Sequence, residues 1–121
     1  MIKPRIMYIE RKGKKNHADN ALARIGRVTF SRSGRTIYYE GKVFSRADLG
    51  CGNYIEEESG DEYWISGCKR TGGDRLFPGL IEIDEDVREE YWTEIREQPE
   101  NVEQKLIRCA GKYGGKQGRK H

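Results

Sequence analysis

The sequence predicts a mainly β domain of the α+β class, with a small bent antiparallel sheet or partial barrel covered by one C-terminal amphipathic α-helix. Fifteen glycines against three prolines are typical of a chain with many turns. Short runs of β-branched and aromatic residues recur between polar turns as far as residue 83. From residue 85 the apolar period changes from two to about 3.6, the period of an α-helix.

The predicted strands are joined by short polar connections. A five-residue turn, 31–35, lies between the strands at 25–30 and 36–40, and its Gly34 can supply a positive φ. Gly41 separates the second of these strands from a third, which completes a β-meander. The turn 58–61 lies between two further strands and indicates a second hairpin. The full set of predicted strands covers residues 6–10, 25–30, 36–40, 42–45, 54–57, 62–66 and 80–83.

A single amphipathic helix is predicted over residues 85–97. Val87, Tyr91 and Ile95 lie at i, i+4 and i+8, so they share one face. Pro99 ends the helix. We expect residues 1–98 to form one domain, residues 99–110 to form a short second helix, and residues 111–121 to be a flexible basic tail. The last of these segments has four glycines and four lysines or arginines.

Composition indicates an ordered cytoplasmic protein. Of 121 residues, 35% are hydrophobic and 10% aromatic, which is enough for one lean core. No stretch approaches the roughly 20 apolar residues that span a membrane, and no signal-peptide pattern begins the chain. Three widely spaced cysteines are an odd number, which favours reduced thiols over disulfides.

Charge is distributed in blocks that the net charge of +3 conceals. Residues 1–52 contain 12 basic and 4 acidic side chains, and residues 53–104 contain 5 and 16. Residues 105–121 contain 6 basic side chains and no acidic ones. Such blocks favour a basic face for nucleic acid or an acidic face for a protein partner. The alternative is that both blocks are solvated surfaces that attract each other.

The predicted meander combines cations with aromatic rings. On small curved sheets, exposed rings beside cations commonly hold single-stranded nucleic acid. Tyr38 and Tyr39 are neighbours in a strand, so they point to opposite faces and one of them is expected to be exposed. Alternatively, the outward ring packs against an aliphatic stem or under a loop. The candidate nucleic-acid contacts are Arg27, Arg32, Arg35, Tyr38, Tyr39 and Lys42.

The segment 69–75 is a candidate anion-binding loop. Paired glycines can turn successive amides toward an anion, and cations flank them here. The simpler interpretation is a polar hairpin loop. The residues concerned are Lys69, Arg70, Gly72, Gly73 and Arg75.

No catalytic, metal or cofactor site is predicted. The histidines are His17, in a polar segment, and the terminal His121. A Cys51 or Cys68 nucleophile activated by His17, or a zinc site of three cysteines and His17, would lack the close spacing typical of such sites. The acidic run 84–86 is typical of a helix start rather than of a metal site. No glycine-rich nucleotide fingerprint is present.

Three segments together resemble a family of small uncharacterised bacterial proteins. They are residues 24–30 with the tyrosine pair that follows, residues 62–67 (EYWISG), and residues 83–92 (IDEDVREEYW). The resemblance spans residues 7–98. Relatives sometimes carry the label 1-deoxy-D-xylulose-5-phosphate synthase. That activity needs a diphosphate and Mg²⁺ site and far more chain than is present here, so the resemblance implies no catalytic residue.

The sequence therefore favours a non-catalytic binding module that contacts nucleic acid through the basic aromatic meander. A second hypothesis is an interaction or regulatory module, in which residues 56–62 and the outer face of the helix dock a basic protein partner. A third is a small enzyme without metal or histidine chemistry that uses Arg27, Arg35 or Arg75. None of the three involves a membrane.

Overall fold

The computed structural model describes residues 2–13, 23–48, 52–75 and 78–109. Within these ranges all seven predicted strands are present, and an eighth follows the helix. The strands are β1 (Arg5–Gly13), β2 (Ala23–Phe30), β3 (Thr36–Tyr39), β4 (Lys42–Arg46), β5 (Tyr54–Glu56), β6 (Glu62–Gly67), β7 (Gly79–Ile83) and β8 (Leu106–Cys109).

Strands β1 to β6 form a closed antiparallel barrel. Each strand pairs with the next, and β6 pairs back onto β1, so that Met7 lies opposite Gly26 on one side and Gly67 on the other. The predicted mainly β antiparallel architecture is confirmed, whereas the partial barrel is wrong. Closure requires the first and sixth strands to meet, and local sequence patterns do not report such a long-range pairing. Closure of the barrel leaves its six strands without an open edge.

Strand β2 changes partners halfway along its length. Its first residues pair in parallel with β7, with Ala23 opposite Ile81, while Thr29 pairs with Tyr38 of β3. Because β1 occupies the other edge of β2, β7 and β3 share one edge and diverge around Gly26. A Cβ atom on Gly26 would lie 2.4 Å from Asp84 Oδ2 and 2.6 Å from Tyr39 Cε1. Only glycine therefore fits at the point where β3 and β7 diverge along β2, which we call the fork in β2.

Alternation along β1 and β2 produces two cores on opposite sides of the barrel wall. The barrel interior contains Met7, Ile9, Val28, Ile37, Tyr39, Phe44, Tyr54 and Ile65. The outer core, between the barrel wall and the helical segment, contains Ile6, Tyr8, Ala23, Ile25, Ile81, Ile83, Val87, Tyr91, Trp92 and Cys109.

The predicted helix is present over residues 85–95 and packs on the outside of the barrel. It begins as a 3₁₀ turn, Glu85–Val87, continues through Arg88–Glu90 as an α turn, and ends as a π turn, Tyr91–Ile95. Trp92 is 2% exposed, and its indole N–H donates to the Gln104 carbonyl at 3.0 Å. The helix thus covers the wall made by β1, β2 and β7 rather than an open face of a sheet.

The short helix predicted over residues 99–110 is wrong. A 3₁₀ turn, Pro99–Asn101, leads instead into β8, which pairs with β7 and places Cys109 opposite Gly79. The edge of β7 that is not paired with β2 offers backbone hydrogen bonds to β8. Leu106, which a helix would place on its apolar face, is 47% exposed. The ordered domain therefore extends beyond residue 98, and the helix is not its C-terminal element. The predicted tail, 111–121, lies outside the described residues.

Candidate nucleic-acid interface

One end of the barrel is rich in cations. Because neighbouring strands are antiparallel, the start of β1, the end of β2, the start of β3 and the end of β4 lie together. The amide of Arg46 donates to the Arg35 carbonyl at 3.0 Å, and a Cβ on Gly67 would lie 3.0 Å from Arg5 Nη2. We call this surface the basic end. It consists of the exposed residues Lys3, Arg5, Arg32, Arg35 and Arg46.

Ion pairs with described carboxylates do not neutralise the charges of the basic end. Among the described residues, none of its five cations lies within 4.0 Å of a carboxylate oxygen, including that of Asp48 just beyond β4. Two arginines on the barrel wall, by contrast, are paired: Arg24 with Asp84 at 2.6 Å, and Arg27 with Glu90 at 2.8 Å. Within the part of the chain that the structure describes, the basic end is therefore a surface of positive charge without ion pairs, and such a surface attracts polyanions.

Tyr38 supplies an exposed ring on the outer face of the meander. It is 42% exposed, whereas Tyr39 is 8% exposed and faces the barrel interior, as the alternation of strand residues predicts. Tyr38 lies opposite Thr29 in the β2–β3 ladder, on the side of the barrel that leads to the 31–35 turn. Its ring is available for stacking.

A groove lies between the N-terminal segment and the end of β2. It has a volume of about 460 Å³ and is lined by Ile2, Pro4, Thr29, Phe30 and Arg32. A Cβ on Gly34 would lie 2.8 Å from Ile2 Cδ1, so the N-terminal segment crosses close to the 31–35 turn. The groove is therefore largely apolar, with one guanidinium beside it.

The structure brings together only half of the predicted nucleic-acid contacts. Arg32, Arg35 and Tyr38 lie at or beside the basic end. Arg27 also faces outward, but its guanidinium is paired with Glu90, a hydrogen bond that raises the pKa of Arg27. Tyr39 is inside the barrel, and Lys42 begins β4 at the opposite end.

Sequence reasoning missed Lys3, Arg5 and Arg46 as members of this surface. Their positions relative to the strands contain the necessary signal. The first strand of an antiparallel meander begins at the end where the second and fourth strands stop, so cations at those three points converge. The concentration of tyrosines and arginines within residues 27–42 favoured that segment as the site, so these three cations were not included in the prediction.

Tyr39 belongs to a polar cluster at the fork in β2. Its hydroxyl donates to Asp84 Oδ2 at 2.5 Å and accepts from Arg24 Nε at 3.1 Å. Burial raises the pKa of Tyr39 above its ordinary value, and its hydrogen bond to Asp84 acts in the same direction. Asp84 precedes the helix but makes no capping hydrogen bond, because its carboxylate is engaged by Arg24 and Tyr39. The cluster holds β7 against β2 and β3.

The candidate anion loop is occupied by its own contacts. Arg75 is 5% exposed, and its guanidinium donates to the Leu80 carbonyl and approaches Glu10. The amide of Lys69 donates to Asp74 Oδ1, and the amide of Gly72 donates to the Lys69 carbonyl. The amide of Gly73 donates to Thr71 Oγ1 at 3.4 Å, and Arg70 pairs with Glu97 at 3.7 Å. These amides are not directed at a common anion, so the polar-loop interpretation is favoured.

The acidic segment 56–62 is only partly available to a partner. Glu56 is 4% exposed, and hydrogen bonds from the Ser59 side chain and from the amides of Glu58 and Ser59 lower its pKa. Asp61 is 7% exposed and pairs with Arg11 at 2.9 Å. The exposed carboxylates of this segment are those of Glu57 and Glu58.

The described residues offer no convergent catalytic set. They contain no cluster of three or more His, Cys, Asp or Glu side chains able to hold a metal ion. Burial raises the pKa of the Cys68 thiol to about 12, so little of the nucleophilic thiolate is present at neutral pH. Cys51 and both histidines lie outside the described residues. Arg27 is on β2 and pairs with Glu90 of the helix, Arg35 is exposed at the basic end, and Arg75 is buried beside Glu10, so these three arginines do not converge.

Comparison with protein-family models, with curated proteins and with solved structures found no match. The resemblance to a family of small bacterial proteins therefore stays a prediction. Within the described ranges, no helix is long and apolar enough to cross a membrane.

Proposed function

We propose that this chain is a non-catalytic module of the bacterial cytoplasm that binds nucleic acid with the basic end of its barrel. The observation that carries the proposal is the group of five exposed cations that make no ion pair with a described carboxylate. Cations without a carboxylate partner can bind phosphate without first breaking an ion pair. The free thiols of Cys68 and Cys109 are typical of a reducing compartment.

Binding at the basic end is expected to depend steeply on salt. Each phosphate contact with a single strand releases counterions and contributes about −0.7 to the slope of log K against log salt. Five contacts would give a slope of roughly −3.5. The affinity should then fall by more than tenfold between low and physiological ionic strength.

The test compares two double variants by fluorescence anisotropy with a labelled oligonucleotide over a salt series. Arg32→Ala with Arg35→Ala removes two cations of the basic end, and the slope should become shallower by about 1.4. Lys42→Ala with Lys105→Ala removes two exposed cations at other sites and should leave the slope unchanged. Absence of salt-dependent binding at low ionic strength, or equal losses in the two variants, would refute the proposal.

A basic protein partner is the second candidate, and the exposed pair Glu57 and Glu58 is the observation that favours it. Glu56 is unsuitable for charge reversal because its carboxylate holds the turn together. Glu57→Lys with Glu58→Lys should abolish a complex that survives nuclease treatment. A complex that is lost on nuclease treatment would support nucleic acid instead.

A further inference from the structure

We infer that the basic end selects single strands, and that it does so by taking one unpaired base into the groove and stacking the next base on Tyr38. This inference rests on the proposed function and specifies its substrate class as unpaired DNA or RNA. Duplexes present phosphates of equal charge, but the faces of their bases are covered by stacking.

The groove has the chemistry of a base site rather than of a phosphate site. Ile2, Pro4 and Phe30 contribute apolar surface, and Arg32 is the charged member of the lining. Its volume of about 460 Å³ falls within the roughly 300–1,000 Å³ range of small-ligand pockets. A phosphate would gain little from apolar walls, whereas a planar base would bury its faces there. The guanidinium of Arg32 can stack on a base or contact the adjoining phosphate.

Tyr38 and the groove are close enough to serve successive nucleotides. Thr29 lines the groove and is also the cross-strand neighbour of Tyr38. Side chains opposite each other in an antiparallel pair have Cβ atoms about 4.5–5.5 Å apart. The ring and the groove therefore lie side by side on the barrel surface. The sugar-phosphate backbone between two bases spans a comparable distance.

The surrounding charges orient the strand. Arg32 and Arg35 are on the 31–35 turn at one side of the groove, and Lys3, between the lining residues Ile2 and Pro4, is at the other side. Cations on both sides of the apolar groove favour a strand whose phosphates lie at its rim and whose bases lie inside it. This arrangement complements a single strand whose bases are turned toward the protein.

The experiment measures binding of four probes of equal length at one low ionic strength. They are oligothymidylate, oligouridylate, a mixed-sequence duplex and an abasic oligonucleotide that retains every phosphate. Oligothymidylate or oligouridylate should bind more tightly than the abasic strand, by roughly 5- to 150-fold for each base that stacks on the protein. The difference between the two pyrimidine strands identifies DNA or RNA as the preferred source.

Variants localise the effect. Tyr38→Ala should weaken binding of the pyrimidine strand and leave binding of the abasic strand unchanged, and Ile2→Ser should do the same through the groove. Trp64→Ala is the matched control, because Trp64 is an exposed aromatic residue, 39% exposed, on β6. Equal affinity for the pyrimidine, abasic and duplex probes would overturn the inference and leave the proposed function standing. Failure of all four probes to bind would overturn both.

Discussion

Replacing Tyr39 with phenylalanine removes one oxygen from the fork in β2, and the structure allows the effect to be estimated. The lost hydroxyl donates to Asp84 Oδ2 at 2.5 Å and accepts from Arg24 Nε at 3.1 Å. Arg24 keeps Asp84 Oδ1 through its Nη2 atom at 2.6 Å. Asp84 Oδ2 has no other donor among the described residues, and the Asp84 side chain is only 10% exposed. The substitution therefore leaves a nearly buried carboxylate oxygen without a partner.

A hydrogen bond to a charged group contributes about 1.5–3 kcal/mol. We expect Tyr39→Phe to lower the free energy of unfolding by about 2 kcal/mol, because the ring and its packing are retained. For a domain of this size, each kcal/mol changes the melting temperature by roughly 4 °C, so a decrease of about 8 °C should follow. Urea unfolding followed by the fluorescence of the buried Trp92 measures the first quantity, and circular dichroism measures the second.

Tyr54→Phe is the matched control for this measurement. Tyr54 is 5% exposed and lies in the same barrel interior, but its hydroxyl makes no hydrogen bond with the described residues. Loss of the Tyr54 hydroxyl should change the free energy of unfolding by less than about 0.5 kcal/mol. If the two variants were equally stable, Asp84 would not depend on Tyr39, and the account of the fork would be wrong.

Three further predictions concern stability. Gly26→Ala should lower the free energy of unfolding, measured with urea, by about 1–3 kcal/mol through overpacking. The control is Gly67→Ala, whose Cβ would meet only the tip of an exposed arginine, and it should change stability little. Equal losses of stability in the two variants would contradict the crowding at the fork. Burial raises the pKa of Tyr91 from 10.0 to about 12, so its contribution, complete below pH 10, should be lost as pH rises through the folded-state value. The urea midpoint should then fall between pH 9 and pH 12 less steeply in Tyr91→Phe than in the wild type, and parallel curves would refute this. Hydrogen bonds from Ser59 and its neighbours lower the pKa of Glu56 from 4.5, so this carboxylate should stabilise the fold above that pH and lose its contribution as the pH falls below it. Glu56→Gln should therefore flatten the acid limb of the stability curve, and an unchanged limb would show that the turn does not hold the carboxylate.

Local pattern was sufficient for the first seven strands and for the helix, because these depend mainly on neighbouring residues. Runs of β-branched and aromatic residues between polar turns located all seven predicted strands, and the i, i+4, i+8 series of Val87, Tyr91 and Ile95 located the helix. β8 was missed because Leu106–Cys109 is short and is a strand only through its partner β7. Propensity over four residues is weak, and the available sheet edge decided the outcome.

The candidate site was only partly predictable for a related reason. Alternation showed that either Tyr38 or Tyr39 would be exposed, but which of them faces outward depends on the direction in which the sheet curves. Arg27 and Lys42 are cations like Arg32 and Arg35, yet Arg27 is paired with Glu90 of the helix, and Lys42 lies at the other end of the barrel. Partners distant in the chain decided which charges remain uncompensated.

The sequence by itself determined a mainly β chain with one amphipathic helix, an exposed tyrosine in the meander, and a concentration of cations near the N-terminus. These follow from periodicity and composition, which are local properties. Tertiary structure alone decided that the barrel closes, that Gly26 is required at the fork, and that Lys3, Arg5 and Arg46 join Arg32 and Arg35 at one end. The physical reason is that strand pairing and ion pairing are contacts between residues far apart in the chain, and their energies exist only once the chain has folded.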